Sequence, residues 1–372
     1  MTKVAVIYHY FAKYREPIIS QLINDSGNEF EFIFIADELS NEQKLVVADN
    51  KVFSGKFRRV ENRWFFKFLW QKGLLSSLRE HDPDVIICLA HFGFITTWIL
   101  ALYYKLLGRK IIFWGHGLYG NESTIKRFVR VNFNNIADNF MVYGERAKDL
   151  MYKEGKSNTT VIYNSLNYFE QNENFLHLKN DVNCDLSNEI EFKIVFIGRL
   201  TPVKKLDQLL NACIGLMDLG YKIKVDIIGD GSETKLLKDI CLQSGYDKNF
   251  CFHGEVYDEI LISKIIYRAH VCVSPGNVGL TAIHSLTYGT PVITHNKFSE
   301  QMPEYEAIKD GHNGSFFEYG NEESLKNSIK YWIGEYKRRD YTLIQEDCRN
   351  VIKNKYNPIC QSKIIRSVLR DV

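Results

Sequence analysis

No two of the eight cysteines in this chain are spaced C-x-x-C, and several (Cys88, Cys251, Cys272) lie inside apolar runs. A disulfide or zinc framework is therefore not expected, and the cysteines read as reduced core residues of a cytoplasmic protein. No uninterrupted apolar run reaches the roughly 18 residues of a membrane span. The most apolar stretch, from Phe94 to Trp114, is broken by Lys105, Gly108, Arg109 and Lys110. The N-terminal MTKVAVIYHYF has no small-residue cleavage site after an apolar core, and reads as a first strand rather than a signal peptide. Large net charge is also missing: +2 over 372 residues gives no global pull toward nucleic acid, and no nucleic-acid partner is expected.

What is present is an alternation of strand-like and helix-length segments. VAVIYHY, FEFIFIA, DVIICLA, KIIFW, NFMVY and TVIY occupy the first half; FKIVFIG, IKVDIIG, NFCFHG, VCVSP and PVITH occupy the second. Most are continuously apolar, which suits parallel strands covered on both faces, so the fold class is α/β with two doubly wound, Rossmann-like domains. The expected boundaries are an N-terminal domain over 1–165, a linker over 166–190, where asparagine and acidic residues interrupt any period, a C-terminal domain over 191–355 and a C-terminal helix over 356–372 returning to the N-terminal domain.

Charge is unevenly shared. Through Ser165 there are 22 Lys and Arg against 17 Asp and Glu. Much of the excess lies in KVFSGKFRRVENRWFFKFLWQKGLL, residues 51–75, where seven bases face one acid and Trp64, Phe65, Phe66, Phe68 and Trp70 interleave. Two readings stand for this stretch: a solvated helix with one buried aromatic face, or a basic aromatic surface resting on anionic lipid.

Two motifs point to phosphate. SPGNVGLTAIHSLTYGTPVITH, from Ser274 to His295, reads as strand end, glycine turn, short helix and next strand. Its glycines allow close backbone approach, and the amides from Asn277 through Val278, Gly279 and Leu280 to Thr281 favour an anion. FIGRLTPVKKLDQLLNA places Arg199 after a strand and Gly198, with Lys205 at the start of a helix. Two cations at a strand-end crevice suit a pyrophosphate, each charge-assisted bond contributing roughly 1.5–3 kcal/mol. Asp82-Pro83-Asp84 imitates a D-x-D metal motif but sits between a helix end and a strand, and GDG at 229–231 is too short for a dinucleotide fingerprint; neither implies a metal, and no metal or cofactor is expected.

Together with Gly254, Gly289-Thr290-Pro291-Val292-Ile293 and Glu306 before Asp310-Gly311, these motifs make residues 192–330 resemble the nucleotide-binding half of a family 4 glycosyltransferase of the GT-B fold, of the kind that builds bacterial surface polysaccharide. YHYFAKYREPIISQL, FWGHGLYG, VYGERAKDLMYKEG and VIYNSLN carry a looser N-terminal likeness, so the resemblance covers most of the chain. It implies two domains facing each other across a cleft, with a nucleotide sugar on the C-terminal domain and a glycan or lipid-linked saccharide acceptor on the N-terminal one. It also implies sugar transfer with retention of configuration, in the cytoplasm or peripherally at the inner membrane face. One departure matters: the family's two glutamates, seven residues apart, are replaced by Gly276 and His284. His284 is expected to hydrogen-bond a ribose or phosphate in place of the second, and Asn277 to stand nearest the first.

On the acceptor side, His116 lies between Gly115 and Gly117 in a strand-end loop, where the resemblance implies contact with donor sugar or reacting groups. Arg15, in the first strand-to-helix loop, is placed to meet acceptor phosphate. Arg199, Lys205 and the 277–281 amides are expected to stabilise the departing diphosphate. Other readings are a nucleotide-sugar epimerase, which needs acid/base carboxylates, and a non-catalytic relative that binds glycan or nucleotide. The retained cations argue against the second.

Overall fold

Continuous apolar runs become parallel sheets here because each strand is covered on both faces. The computed structural model describes residues 1–39, 46–180 and 191–372. It forms two compact units, Met1–Asn167 with Asn357–Val372, and Tyr168–Tyr356.

In the first unit the strands are β1 (Thr2–Ile7), β2 (Phe30–Ala36), β3 (Phe57–Arg59), β4 (Glu61–Phe65), β5 (Phe68–Lys72), β6 (Val85–Leu89), β7 (Lys110–Trp114), β8 (Asn139–Val142) and β9 (Thr159–Val161). Helices α1 (Glu16–Asp25), α2 (Leu74–His81), α3 (Ile95–Leu106), α4 (Thr124–Asn134) and α5 (Glu145–Lys153) connect them. The sheet runs β3-β2-β1-β6-β7-β8-β9, all parallel, with Val4 opposite Phe32 on one side and Val85 on the other. Chain order reverses between β1 and β6. The crevice beyond the carboxyl ends of those two strands is the position where open α/β sheets take ligands.

The second unit contains α6 (Tyr168–Asn180), β10 (Phe192–Ile197), α7 (Leu206–Asp218), β11 (Ile223–Ile228), α8 (Thr234–Ser244), β12 (Phe250–Gly254) and α9 (Glu259–Tyr267). It continues with β13 (Val271–Ser274), α10 (Leu280–Thr287), β14 (Val292–His295), β15 (Gly314–Phe317), α11 (Glu322–Arg338) and α12 (Tyr341–Asn354). Its parallel sheet, β12-β11-β10-β13-β14-β15, switches between β10 and β13. The FIGRL and SPGNVGL loops leave those two strands. The α7 face of Leu206, Leu209, Leu210, Cys213 and Leu216 packs on β10 and β11 together with the buried Trp332 of α11.

Three expectations need correction. The stretch over 166–190 is not simply a linker: α6 occupies its first part, with Phe175 buried edge-on to Tyr267 of α9, 5.6 Å between rings, while 181–190 lies outside the described residues. Residues 51–75 are not a helix. A 3-10 turn and β3 lead into an antiparallel hairpin, β4–β5, in which buried Leu69 and Gln71 alternate with exposed Phe68, Trp70 and Lys72 at period two rather than 3.6. Cys251 is exposed on the edge strand β12 rather than in the core, whereas Cys88 and Cys272 are buried free thiols.

The C-terminal helix α13 (Pro358–Asp371) belongs to the first unit, starting on an Asn357 N-cap to the Cys360 amide at 2.9 Å. Ile365, Val368 and Leu369 join the core of Val4 and Leu22, and Ser362 Oγ donates to Asp25 Oδ2 at 2.6 Å. Arg109 spans Asp82 (2.5 Å) and Asp84 (2.8 Å), while Asp84 also accepts the Lys3 amide at 2.9 Å. The D-x-D imitation is thus a turn clamped to β1.

Candidate functional site

In the second unit the loops after β10 and β13 are zipped together by backbone. The Gly276 amide donates to the Lys204 carbonyl at 2.9 Å, and Lys204 Nζ donates to the Asn277 carbonyl at 2.7 Å. This approach requires glycine: a Cβ on Gly276 would lie 2.0 Å from the Val203 carbonyl oxygen and 2.6 Å from Lys204 Cα. Gly229 is similar, with φ +134° and a Cβ position 1.9 Å from the Gly198 carbonyl oxygen. Gly276, where the resemblance led us to expect a glutamate to be missing, is a backbone contact that leaves no room for a side chain.

The zip brings Lys204, rather than Lys205, beside Arg199. Burial, then Arg199, push the Lys204 ammonium down to about 8, opposed by the Glu304 carboxylate. Lys205 sits in the left-handed region, φ +50°, at the N-cap of α7, and its Nζ lies 3.7 Å from the Tyr319 ring centre. Sequence reasoning chose Lys205 for its place at the helix start and missed Lys204. Spacing carries no signal for this, because the two side chains diverge only through the left-handed backbone at Lys205. Glu304 was missed as well: it is 3% exposed, two residues before the expected Glu306, which is half-buried in the same Pro303–Ala307 turn.

The expected amide cradle is narrower than 277–281. The Val278 amide donates to Gln301 Oε1 at 2.7 Å, and Gln301 is fixed in turn by Nε2 bonds of 2.9 Å to Thr294 Oγ1 and the His295 carbonyl. Thr281 spends its hydroxyl on the Ile197 carbonyl at 2.8 Å, tying α10 to the end of β10. Gly279 is the N-cap residue of α10 and Leu280 its first residue, so the first-turn amides of an eight-residue helix begin beside the Arg199–Lys204 pair.

His284 is not placed by itself. Its Nε2 lies 2.8 Å from Glu259 Oε1, and the same oxygen accepts the Tyr288 hydroxyl at 2.6 Å. Burial raises the Glu259 carboxyl, but His284, Tyr288 and Gln171 together hold it below its ordinary value. One ring nitrogen of His284, the residue expected to meet ribose or phosphate, is thus engaged by a carboxylate from α9, which sequence spacing could not reveal. For metal, one group among the described residues brings three ligand types together: Asp226, Cys251 and His253, within 4.8 Å of one another. His253 Nε2 lies 2.7 Å from Asp226 Oδ1.

In the first unit a cavity of about 400 Å³ opens at the β1/β6 switch and contains both residues expected on the acceptor side, Arg15 and His116, with Gly117 in its wall. Gly117 has φ +66°, and its carbonyl accepts from Arg130 at 3.4 Å. Arg130 is paired with Glu122 at 2.9 Å, and Glu122 also accepts the Tyr119 and Gly120 amides, so the loop after β7 is held from within. The His116 ring stacks near Tyr119 at 5.7 Å. Burial, with Arg15 and Arg130 adding to it, lowers His116 to about 4; burial, His91 and Arg15 do the same to His9. Both imidazoles are neutral at pH 7. The Nδ1 atoms of His9 and His116 and Nε1 of Trp114 are buried without a hydrogen-bond partner among the described residues.

Residues 180–356 match the family model described as glycosyl transferases group 1. No curated protein sequence matches the chain. Solved structures share the fold over its whole length. A lipopolysaccharide outer core galactosyltransferase, WaaB, aligns at TM-score 0.74 and 15% identity over 100% of this chain and 99% of its own. A glycosyltransferase from Rickettsia africae aligns at 0.72 and 16%, over 100% and 99%. HepE of Anabaena in complex with UDP aligns at 0.71 and 14%, over 100% of each chain, and it has also been solved with UDP-glucose. The fold is therefore GT-B.

Proposed function

We propose that the protein is a retaining, metal-independent glycosyltransferase. It moves a hexosyl group from a nucleotide sugar to a glycan or lipid-linked saccharide acceptor, in cell-surface polysaccharide synthesis at the inner face of the membrane. The observation that carries the reading is the Arg199–Lys204 pair beside the first turn of α10, inside the segment that matches the glycosyltransferase model. Two cations and a helix start suit a leaving diphosphate, whose charge grows in the transition state. The chemistry assigned to the chain is displacement on the face that the diphosphate leaves, with a donor phosphate oxygen accepting the acceptor hydroxyl proton. Neutral His116 offers a hydrogen bond to the reacting sugar rather than a charge. The UDP and UDP-glucose complexes of HepE make a uridine nucleotide the first donor to try.

The test is a thermal-shift series with UDP, GDP, dTDP and CMP. One nucleotide, UDP on this reading, raises the melting temperature, since ligand at 100 times its Kd stabilises by about 2.7 kcal/mol. No shift with any of the four would sink the donor assignment.

The β4–β5 hairpin supports the membrane part of the reading. Its base is fixed: the Asn62 amide donates to Asp37 at 2.8 Å, and Gln71 Nε2 donates to the Tyr8 carbonyl at 2.9 Å. Its tip is bare, with Phe66 fully exposed at φ +54°, Phe65 and Phe68 at least half exposed, and Lys67 between them. Ile99, Leu102 and Leu106 leave a further apolar stripe along α3, which packs against β5. No helix among the described residues is long and apolar enough to cross a membrane. An apolar tip flanked by bases suits the interface of an anionic bilayer. Phe66→Ser combined with Lys67→Gln is expected to reduce binding to phosphatidylglycerol vesicles about tenfold or more, from a buried ring (~1.5–3 kcal/mol) and a base near the surface (~1 kcal/mol). Equal co-sedimentation of variant and wild type would remove the hairpin from the membrane reading.

A further inference from the structure

Arg15 is a buried cation that the donor reading leaves unexplained. It is 8% exposed, and its hydrogen bond is to the Tyr143 hydroxyl at 2.5 Å. Otherwise it is ringed by aromatics, with Tyr8, Trp114 and Tyr14 centres at 4.8, 5.1 and 5.4 Å. Among the described residues no carboxylate lies within ion-pair distance of it. A guanidinium carries five N–H donors, and rings with one neutral hydroxyl compensate only part of the cost of removing its charge from water. The second arginine of the cavity, Arg130, is already neutralised by Glu122. Among the described residues the pocket thus holds one uncompensated positive charge.

Its remaining surface is of two kinds. Trp64, Phe92, Phe94 and Tyr119 present ring faces and edges, while the orphaned His9 Nδ1 and His116 Nδ1 are buried polar atoms that need a partner. A pyranose matches this mixture, with C–H faces for the rings and hydroxyl edges for the polar atoms. A single unpaired guanidinium then selects for one negative charge on that sugar. A planar carboxylate meets its fork with two parallel bonds, whereas a phosphate dianion would bring a second charge with no cation to face it.

We propose that this pocket binds a sugar bearing a carboxylate, a uronic-acid-type unit, with the carboxylate on Arg15 and the ring against the aromatic wall. As a statement of acceptor identity this rests on the glycosyltransferase reading, the acceptor then being an acidic glycan. As a statement of binding it does not.

The experiment is calorimetric titration of the full chain with methyl glucuronide, methyl galacturonide, methyl glucoside and glucose 6-phosphate, with UDP titrated separately. At least one of the two uronides is expected to bind ten times or more tighter than the neutral glucoside and tighter than the phosphate ester. Arg15→Gln should remove that preference and leave UDP affinity unchanged. Trp64→Ala, at the cavity mouth, should weaken the uronide without unfolding the protein. The comparison among wild-type titrations needs no variant, so a misfolded Arg15→Gln does not rescue the idea. Glucoside binding as tightly as both uronides, glucose 6-phosphate binding best, or no sugar binding at all would each overturn it. UDP reports on the donor reading alone, so a failure of one result is distinguishable from a failure of the other.

Discussion

Arg199→Ala should lower turnover by about two orders of magnitude or more while leaving the melting temperature close to wild type. The side chain is exposed, so its loss opens no cavity. What is removed is a charge-assisted contact that strengthens as the diphosphate departs, and removing one such donor typically costs 10²–10³ in kcat. Lys204→Ala should match that loss and add a structural one, because Lys204 Nζ also holds the Asn277 carbonyl. Lys205→Ala should differ from both. Its ammonium covers the Tyr319 ring, so nucleotide affinity and turnover should stay within a few-fold of wild type. The measurement is nucleoside diphosphate release with the donor identified by thermal shift. If Lys205→Ala were the crippling substitution and Lys204→Ala harmless, the clamp as drawn here would be wrong.

That contrast shows what the chain discloses before it is folded and what it withholds. Both sheets were legible because their strands are continuous apolar runs such as VAVI and IVFI, and hydrophobic period is a local signal. The turn and short helix after β13 were legible because glycines follow a strand there. Choosing between Lys204 and Lys205 was not possible from spacing, since it depends on the left-handed backbone at Lys205 and on a bond between residues 73 apart. The partner of His284 was hidden for the same reason: Glu259 arrives from a different helix, 25 residues away. Neither reading of 51–75, a helix or a basic aromatic surface, contained the hairpin at 61–72, because its strands are defined by residues that pair across a turn and not by composition. Arg15 was placed near an acceptor, but its solitary charge became visible only once its neighbours proved to be rings.

A glutamate at position 276 should damage the protein rather than improve it. Gly276→Glu is expected to abolish nucleotide binding and to lower the melting temperature by several degrees, with Gly276→Ala nearly as harmful. The cause is steric. A Cβ at this position would sit 2.0 Å from the Val203 carbonyl oxygen and 2.6 Å from Lys204 Cα, both main-chain atoms that cannot swing aside as a side-chain end can. The loops after β10 and β13 would have to part, breaking the Gly276–Lys204 bond and carrying Lys204 away from Arg199. Overpacking of this kind typically costs ~1–3 kcal/mol, and here the displaced segment carries the proposed diphosphate clamp. The alanine variant separates the two causes: a loss seen with glutamate alone would indicate charge repulsion by a new carboxylate beside phosphate, whereas a loss with both indicates displacement of the loop. Calorimetric titration with nucleoside diphosphate and thermal melting of both variants make the comparison. A Gly276→Glu protein that binds nucleotide at least as tightly as wild type would mean that the two loops can separate without loss, and that the close backbone contact does not position Lys204.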